Sequence, residues 1–557
     1  MNQRSEPTAS AGLLHAHGQP RFDAVLSGNM EQAWMTLAEG DPARLASVGG
    51  GFAVAVRRAD GAIWMAVDRF AVETLCWRIE DGQLQVATRA DQLGAEQIEA
   101  QALFDYLHFH AIPSPHTVFS GVQRLPAGHW ALFKDGKIEV KPFWTPNFRP
   151  QAKPDFVALK EEFRRLVQQG VKRSLGEQQP ACFLSGGTDS STVAGMLARL
   201  GGAKPASYSI GFEAEGYDEM EYARLAARHF GTDHHEYYVT PDDLVREIPH
   251  VAAAIDQPFG NSSLLPAFCC AKLAYSDGVT QLLAGDGGDE LFGGNARYAK
   301  QRVFSWYQNV PSVLRTCLLE PLLMHTPLGT LPLARKGRSY IEQAGTPMPD
   351  RLDLYNLLTR IGRAEVLTPK FLTRVDQAEP LGLQRQVWNA VPEANELDRQ
   401  LAFDWRFTLA ESDLPKVRQA CQLAGVEVAF PLLDDDLLAF SLLLPEEYKL
   451  RGSQLRWFFK EALRGFLPDE IITKSKHGFG LPFGVWCTRH AALRELAESS
   501  VQGLVSRGWV RADFARRLFA ELLPAHPGYY GEMVWILMML EQWLLAHTAA
   551  GKLVSLV

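Results

Sequence analysis

A glycine- and serine-rich loop between a short apolar run and a helical pattern constrains the fold of this chain more than any other feature. The run Ala181–Leu184 has the length of a buried strand, SGGTDSS (185–191) follows it, and Thr192–Leu200 has helical periodicity. Glycines let the backbone approach a ligand closely, and the start of a helix offers free N–H groups to an anion. No Lys-Ser/Thr pair follows the glycines, so the loop is not a Walker A and does not indicate γ-phosphate transfer. The pattern predicts a strand, a phosphate-binding loop and a helix.

The segments around this loop alternate between strand and helix patterns. Asp218 and Glu221 resemble a capping box at the start of a helix that ends at Gly231. Such alternation is typical of an α/β domain whose parallel sheet carries helices on both faces. Beyond residue 300 the pattern is mostly helical. The predicted strands are 181–184, 206–212, 236–239 and 279–284.

The first 150 residues have the pattern of antiparallel β-structure instead. Phe52–Val56 and Ala62–Val67 flank a turn that contains Gly61, and Leu75–Ile79 and Leu84–Ala87 repeat the arrangement. Short strands at this spacing predict a β-rich sandwich. The segment 145–156 contains three prolines and is the predicted linker, so we expect two domains, 1–150 and 151–557.

Composition excludes several classes of protein. Of 557 residues 46% are hydrophobic and 22% charged, which disfavours disordered, collagen-like and coiled-coil chains. The net charge of −8 gives no reason to expect a nucleic acid or a membrane surface as partner. We expect neither a secretory signal nor a membrane span. Seven cysteines without a CxxC pair indicate a reducing cytoplasm and mostly buried thiols, including the adjacent Cys269 and Cys270.

A second glycine-rich segment, AGDGGDELFGG (284–294), follows the predicted strand 279–284. Ligands of open α/β sheets bind at the carboxyl ends of the strands, so this segment and the first loop are expected at one edge. It brings Asp286, Asp289 and Glu290 toward the phosphates. Asp189 in a phosphate cradle would be repelled unless a cation lay between, and these carboxylates predict one or two Mg²⁺ ions.

These two segments and TKSKHGFGLPFGVW (473–486) resemble the synthetase domain of the asparagine synthetase family. DRFAVETLCWRIEDGQLQVATRADQL (68–93) and IPSPHTVFSGVQRLPAGHW (112–130) resemble that family's glutaminase domain, so the resemblance covers nearly the whole chain. It implies an N-terminal-nucleophile glutaminase fold followed by a PP-loop ATP pyrophosphatase-type domain. It also implies that ATP is cleaved between the α- and β-phosphates, that a carboxylate is adenylated, and that an amine attacks the acyl-adenylate.

The resemblance also assigns residues to this chemistry. Asp189 and Asp289 would hold Mg²⁺, Asp286 would accept the amine's proton, and Lys476 would be the catalytic cation. Lys474 is expected to be a solvated loop lysine. The residues assigned to ATP are Leu184, Ser185, Gly186, Gly187, Asp189, Ser190, Ser191, Ile210 and Gly285.

The sequence departs from the family pattern in two places. Glutamine-hydrolysing members need a cysteine directly after Met1, whereas residue 2 is Asn and the first cysteine is Cys76. We therefore expect no glutamine hydrolysis and an N-terminal domain that is a scaffold or a partner-binding surface. Where asparagine-forming members tend to read KVDR and EVRxPFLD, this chain reads KVRQ (416–419) and EVAFPLLD (427–434). The loss of these charged groups predicts an acid larger than aspartate.

Family members without the cysteine include the macrocyclases of lasso peptides, and that reaction is the leading hypothesis. The N-terminal amine of a precursor peptide would be joined to an Asp or Glu side chain, with a leader-peptide protease and a leader-recognition protein as further expected partners. The alternatives are an asparagine synthetase-like or other small-molecule amide or β-lactam synthetase, and a non-catalytic ATP sensor. β-Lactam formers carry a tyrosine at the position of Asp286, which disfavours that variant.

Overall fold

The computed structural model describes residues 11–23, 26, 29–94, 97–176, 180–202, 204–308, 311, 314–315, 340–341, 343–474, 480–549 and 555–556. Within these residues no helix has the length and apolar character needed to cross a membrane.

The N-terminal region contains two antiparallel sheets, as the sequence predicts. One has the strand order β1-β2-β3-β8-β9 and the other β5-β4-β7. Its helices are α1 (Met30–Glu39) and α2 (Ala100–Phe109), with 3₁₀ turns at Pro42–Ser47 and Ala90–Leu93. The strands are β1 (Gly12–Gly18), β2 (Phe52–Arg57), β3 (Ile63–Val67), β4 (Cys76–Glu80), β5 (Gln83–Ala87), β6 (Gln97–Ile98), β7 (Val122–Arg124), β8 (His129–Lys134) and β9 (Lys137–Pro142).

Strand β2 lies at the centre of this region because both of its faces are apolar. Alternate side chains beginning with Phe52 belong to a cluster that contains Trp34 of α1. The intervening Ala53 and Ala55 belong to a second cluster, which contains Trp77 of β4. Since successive side chains of a strand point to opposite faces, one strand connects the helix layer with the second sheet.

The C-terminal region is built on a parallel sheet of order β12-β11-β10-β13-β14. Its strands are β10 (Ala181–Phe183), β11 (Ala206–Phe212), β12 (Asp233–Val239), β13 (Gln281–Leu283) and β14 (Glu427–Ala429). The first four confirm the predicted strands. The chain runs outward from β10 to β12 and then returns to the other side of β10, so the loops after β10 and β13 meet at a switch point in strand order.

Helices surround this sheet and account for most of the described chain beyond residue 300. A π-helix spans Trp405–Asp413 and another spans Leu518–Leu522, and 3₁₀ turns lie at Asp350–Tyr355 and Pro431–Leu433. Short strands β15 (Leu450–Arg451) and β16 (Gln454–Leu455) form a hairpin, and β17 (Ser555–Leu556) pairs with β6. The α-helices are α3 (Phe156–Arg173), α4 (Thr188–Arg199), α5 (Met220–Phe230), α6 (Pro241–Ala254), α7 (Leu264–Ser276), α8 (Gly288–Phe292), α9 (Ala296–Gln308), α10 (Leu357–Ile361), α11 (Arg363–Val366), α12 (Pro369–Leu372), α13 (Glu379–Asn389), α14 (Glu396–Asp404), α15 (Leu414–Ala424), α16 (Asp435–Leu443), α17 (Glu446–Lys449), α18 (Trp457–Leu463), α19 (Asp469–Thr473), α20 (Phe483–Arg489), α21 (Ala491–Ser506), α22 (Ala512–Arg517), α23 (Leu523–Ala525) and α24 (Pro527–Ala549).

Two local predictions are corrected by the structure. Helix α4 begins at Thr188, not Thr192, so the second half of the SGGTDSS segment forms its first turn. The capping box at α5 is wrong, because Glu219 is the N-cap and its side chain makes no capping bond. Asp218 instead accepts a 3.3 Å hydrogen bond from the backbone N–H of Met220. The glycine stop is confirmed, since Gly231 is in the left-handed conformation at the end of α5.

Candidate active site

A cavity of about 850 Å³ lies at the carboxyl ends of β10, β11 and β13. It contains most of the residues that the sequence assigns to the nucleotide. Gly186 and Ser191 do not line it, since Gly186 packs on α5 and the Ser191 side chain is completely buried. The predicted residues that do line it are Leu184, Ser185, Gly187, Asp189, Ser190, Ile210, Gly285, Asp286, Asp289 and Glu290.

Glycines let the two loops of the site pack against each other. A Cβ on Gly285 would lie 2.7 Å from the backbone nitrogen of Ser190, and a Cβ on Gly288 would overlap the carboxylate of Asp189. Gly186 has a φ of +70°, and a Cβ there would lie 2.5 Å from the backbone nitrogen of Ala223. The backbone N–H of Ser185 donates to Ser190 Oγ over 3.1 Å. The loop after β10 is thereby fixed before any ligand binds.

Arg456 is a buried cation of the cavity that was not predicted from the sequence. Its side chain is buried, and its Nη1 lies 2.5 Å from Asp189 Oδ2 and 2.7 Å from Asp289 Oδ1. Its Nη2 donates to Thr188 Oγ1 over 2.6 Å. Burial lowers the pKa of Arg456, but the charges of the two aspartates outweigh burial and raise it above its ordinary value. No spacing rule marks this residue, because it comes from a turn far along the chain.

The carboxylates of Asp189 and Asp289 fit one Mg²⁺ ion. Magnesium is usually held by one or two protein carboxylates together with substrate phosphates, and these two groups already share one guanidinium nitrogen. Burial, and then the charge of Asp289, raise the pKa of Glu290 well above its usual range. Within the described residues no group of three or more His, Cys, Asp or Glu could hold a metal ion by itself. Asp189 and Asp289 are the residues that would hold Mg²⁺ together with the phosphates.

Asp286 belongs to a second charged group in the same cavity. Lys416 Nζ lies 3.4 Å from Asp286 Oδ1 and 3.1 Å from Asp413 Oδ1. Burial raises the pKa of Asp286, and the charge of Lys416 limits the rise. Burial lowers the pKa of Lys416, but the charges of Asp413 and Asp286 outweigh it, so the pKa is raised and the ammonium remains protonated. Asp413 ends the π-helix 405–413, and Lys416 lies in the first turn of α15.

Two of the positions that depart from the family pattern, Arg418 and Ala429, face a different cavity. This cavity, of about 600 Å³, lies between the N-terminal region and the α15–β14 segment, and both Arg418 and Ala429 line it. Arg418 donates to Thr74 Oγ1 over 3.1 Å. Leu433 also lines this cavity, and a Cβ on Gly287 would overlap the Leu433 side chain. Leu433 thus lies between the second cavity and the loop of Asp286.

The structure tests the prediction for only one of the two lysines in the 473–486 segment. Lys476 lies outside the described residues, so its assigned role stays a prediction. Lys474 corrects the expectation of a solvated side chain, because it is only 9% exposed and lines the larger cavity. Its Nζ lies 2.9 Å from Glu219 Oε2 and 4.2 Å from the ring centre of Tyr222.

The described cysteines are buried thiols, as predicted. Burial raises the pKa of Cys76 to about 12 and makes its thiol a poor nucleophile. The others are Cys182, Cys269, Cys270, Cys421 and Cys487.

A parallel sheet with a phosphate-type loop at its switch point, beside convergent carboxylates, defines a nucleotide-binding α/β enzyme. The family model described as asparagine synthase matches residues 162–545, and the model described as glutamine amidotransferase domain matches residues 32–144. The chain therefore belongs to the asparagine synthetase family, and it is an ATP-dependent, amide-forming ligase.

Curated relatives agree with this assignment. The chain is 24% identical over 496 residues to glutamine-hydrolysing asparagine synthetase 1 of Bacillus subtilis, which covers 87% of this chain and 75% of that protein. A putative asparagine synthetase of Mycobacterium tuberculosis is 25% identical over 415 residues, 73% of this chain and 61% of that protein. A putative asparagine synthetase 2 of Methanocaldococcus jannaschii is 33% identical over 225 residues, 40% of this chain and 43% of that protein.

Proposed function

We propose that this protein activates the carboxylate of an acid larger than aspartate as an acyl-adenylate and joins it to an amine, with release of AMP and pyrophosphate. The arrangement of Asp286, Lys416 and Asp413 beside the phosphate-type loop is the observation that carries this proposal. In this proposal the half-buried carboxylate of Asp286 and the ammonium of Lys416 lie beside the reacting carbonyl group. The names of the relatives support an amide synthetase of the asparagine synthetase type.

The residues of the cavity have distinct roles in this proposal. A carboxylate oxygen of the substrate attacks the α-phosphorus of ATP, and pyrophosphate leaves into the loop 185–191 and the N-terminus of α4. Arg456 offsets the negative charge there, and Mg²⁺ held by Asp189 and Asp289 would supply charge neutralisation of the phosphates. The amine then attacks the acyl carbon, AMP leaves, and Asp286 accepts the amine's proton.

A peptide macrocyclase of the lasso type is the second candidate. Two observations favour it over the formation of asparagine. Ala429 and Arg418 stand in place of the charged pattern of asparagine-forming members and border a second cavity that has room for a larger group. Cys76 is a buried thiol, so it does not supply ammonia from glutamine. In this candidate the precursor peptide provides both carboxylate and amine, and the reaction takes place in the cytoplasm beside a leader-peptide protease and a leader-recognition protein.

The test measures the products with each class of acid. The protein is incubated with ATP and Mg²⁺, and either with aspartate and ammonium or with a leader-free candidate peptide. Equal amounts of AMP and pyrophosphate support the adenylation step, whereas ADP and phosphate would contradict it. Mass spectrometry then separates the candidates, because ring closure removes one water from the peptide and a free-ammonia reaction adds an amide.

The same assay tests the source of the amine. With glutamine in place of ammonium, we expect no glutamate above background and no amide product. Release of glutamate would show that ammonia is generated by a route other than the described thiols. Asp189→Asn is the matched control for all arms, because losing one strong electrostatic contact typically costs on the order of 10²–10³ in rate.

A further inference from the structure

A buried carboxylate, Glu411, joins the N-terminal region to the segment that carries the active-site lysine. It is 6% exposed and accepts hydrogen bonds from the backbone N–H and the hydroxyl of Ser114, over 3.1 and 2.7 Å. Arg124, at the end of β7, lies 2.5 Å from its Oε2, and Arg406 donates to its Oε1. Ser114 and Arg124 therefore hold Glu411 from outside the synthetase region.

These contacts form a closed network that fixes each member. Arg406 also donates to the carbonyl oxygen and the hydroxyl of Ser114, over 2.8 and 2.7 Å. Arg124 donates to the carbonyl oxygen of Ile112 over 2.7 Å. Burial raises the pKa of Glu411, but the charges of Arg124 and Arg406 outweigh burial, so the carboxylate stays ionised. A buried charge with all its partners in place has one favoured position.

The network ends two residues from the active site. Glu411, Ser412 and Asp413 are consecutive residues of the nine-residue π-helix 405–413, and π-helical segments are frequent at functional sites. Asn261, which lines the main cavity, donates to Ser412 Oγ over 3.1 Å. Asp413 contacts Lys416, which contacts Asp286. The position of Glu411 therefore decides where Asp413 can meet Lys416.

We propose that the N-terminal region acts as a positioning element of the synthetase site. Ser114 and Arg124 hold Glu411, and through the π-helix they keep the side chains of Asp413 and Lys416 in their positions beside Asp286. The role of this placement in catalysis rests on the proposed function, but the placement itself does not. This gives the region a task that needs no reactive thiol.

The test measures the reactivity of Lys416 in the full-length protein. Trace acetic anhydride at several pH values, followed by mass spectrometry, labels each lysine in proportion to its unprotonated fraction and its access. If Arg124→Met lets Asp413 drift away, the pKa of Lys416 falls, and each unit of fall raises its labelling about tenfold at a pH below both values. Ser114→Ala should give a smaller rise, and Arg124→Lys should recover part of the protection.

The matched control is Arg89→Met. Arg89 also joins the two regions, by a 2.9 Å bond to the carbonyl oxygen of Ala254, but it has no part in the network. Lys416 labelling should stay at the wild-type level in this variant. Unchanged labelling of Lys416 in folded Arg124→Met, or an equal rise in Arg89→Met, would overturn the proposal. If Arg124→Met fails to fold, Ser114→Ala and Arg124→Lys carry the same comparison.

A second measurement separates positioning from stability. With an acid that the wild type converts, Arg124→Met should lower kcat while the KM for ATP stays the same, because the phosphate side of the cavity is untouched. An equal loss in both would contradict a positioning role. Absence of product from every acid in the wild type would count against the proposed function alone, since the labelling needs no acid.

Discussion

Replacing Arg456 by Met should make the stability of the free protein depend on Mg²⁺. In the wild type the Arg456 guanidinium lies between the carboxylates of Asp189 and Asp289, at 2.5 and 2.7 Å. The variant leaves both carboxylates facing each other in a largely buried site. Removing one partner of a buried ion pair typically costs about 3–5 kcal/mol, and we expect a loss of that size in the free energy of unfolding.

A metal ion bound by the same two carboxylates would restore much of the lost free energy of unfolding. Binding to the folded state alone stabilises by about 2.7 kcal/mol at a ligand concentration one hundred times Kd. Thermal unfolding of Arg456→Met in EDTA and in a Mg²⁺ series should therefore show Tm rising by about 2–3 °C with added metal. The wild type should respond less, because its own cation already occupies the space between the aspartates.

Lys449→Met is the matched control for this experiment. Lys449 and Asp398 form another buried ion pair, 2.6 Å apart with both side chains 1% exposed, and among the described ion pairs Lys449 contacts this single carboxylate. Both variants should lose stability, and only Arg456→Met should regain it with Mg²⁺. Equal responses of the two variants to the metal, or none in either, would refute Asp189 and Asp289 as a magnesium site.

Two further predictions concern the acyl side of the cavity. The rate of product formation should rise with pH through the raised pKa of Asp286, because only the ionised carboxylate accepts the amine's proton. Lys416→Met removes the charge that limits that pKa, so the midpoint of the pH–rate profile should move to higher pH. A move of the midpoint to lower pH would contradict the pairing of Asp286 with Lys416. Lys476→Ala should suppress product formation but leave ATP binding, measured by calorimetry, intact, since the charge of Lys476 matters most in the transition state. Full activity of this variant would remove Lys476 from the mechanism.

Local patterns were sufficient for four of the five strands of the parallel sheet and for its two glycine-rich loops, but they did not predict β14. The apolar run 181–184 and the glycines that follow it give β10 and the phosphate-type loop, because a buried strand and a close backbone approach each demand particular residue types. The short apolar runs separated by glycine-containing turns, such as 52–56 and 62–67, likewise predict the N-terminal sandwich. The division at residue 150 stays a prediction. Trp144, just before the linker, and Phe148, within it, pack on Trp405 of the C-terminal region.

The charged partners of the site could not be predicted from local patterns. Arg456 meets Asp189 across 267 positions of the chain, and Lys416 meets Asp286 across 130. Neither pair has a spacing rule, because the contact exists only after the sheet has formed. The expectation that Lys474 is a solvated loop lysine is wrong, because the side chain packs on Tyr222 and forms an ion pair with Glu219, two contacts that no local pattern predicts.

The pairing of β17 with β6 has a consequence for how the chain folds during synthesis. Ser555 pairs with Gln97, so a strand of the N-terminal region finds its partner only after roughly 450 further residues have been made. At ordinary translation speeds of roughly 5–20 residues per second, that interval is about 20–90 s. During this time the backbone edge at Gln97–Ile98 is open to other chains, a recognised route to misassembly. Completion of the N-terminal region is therefore one of the last events in the folding of the newly made chain.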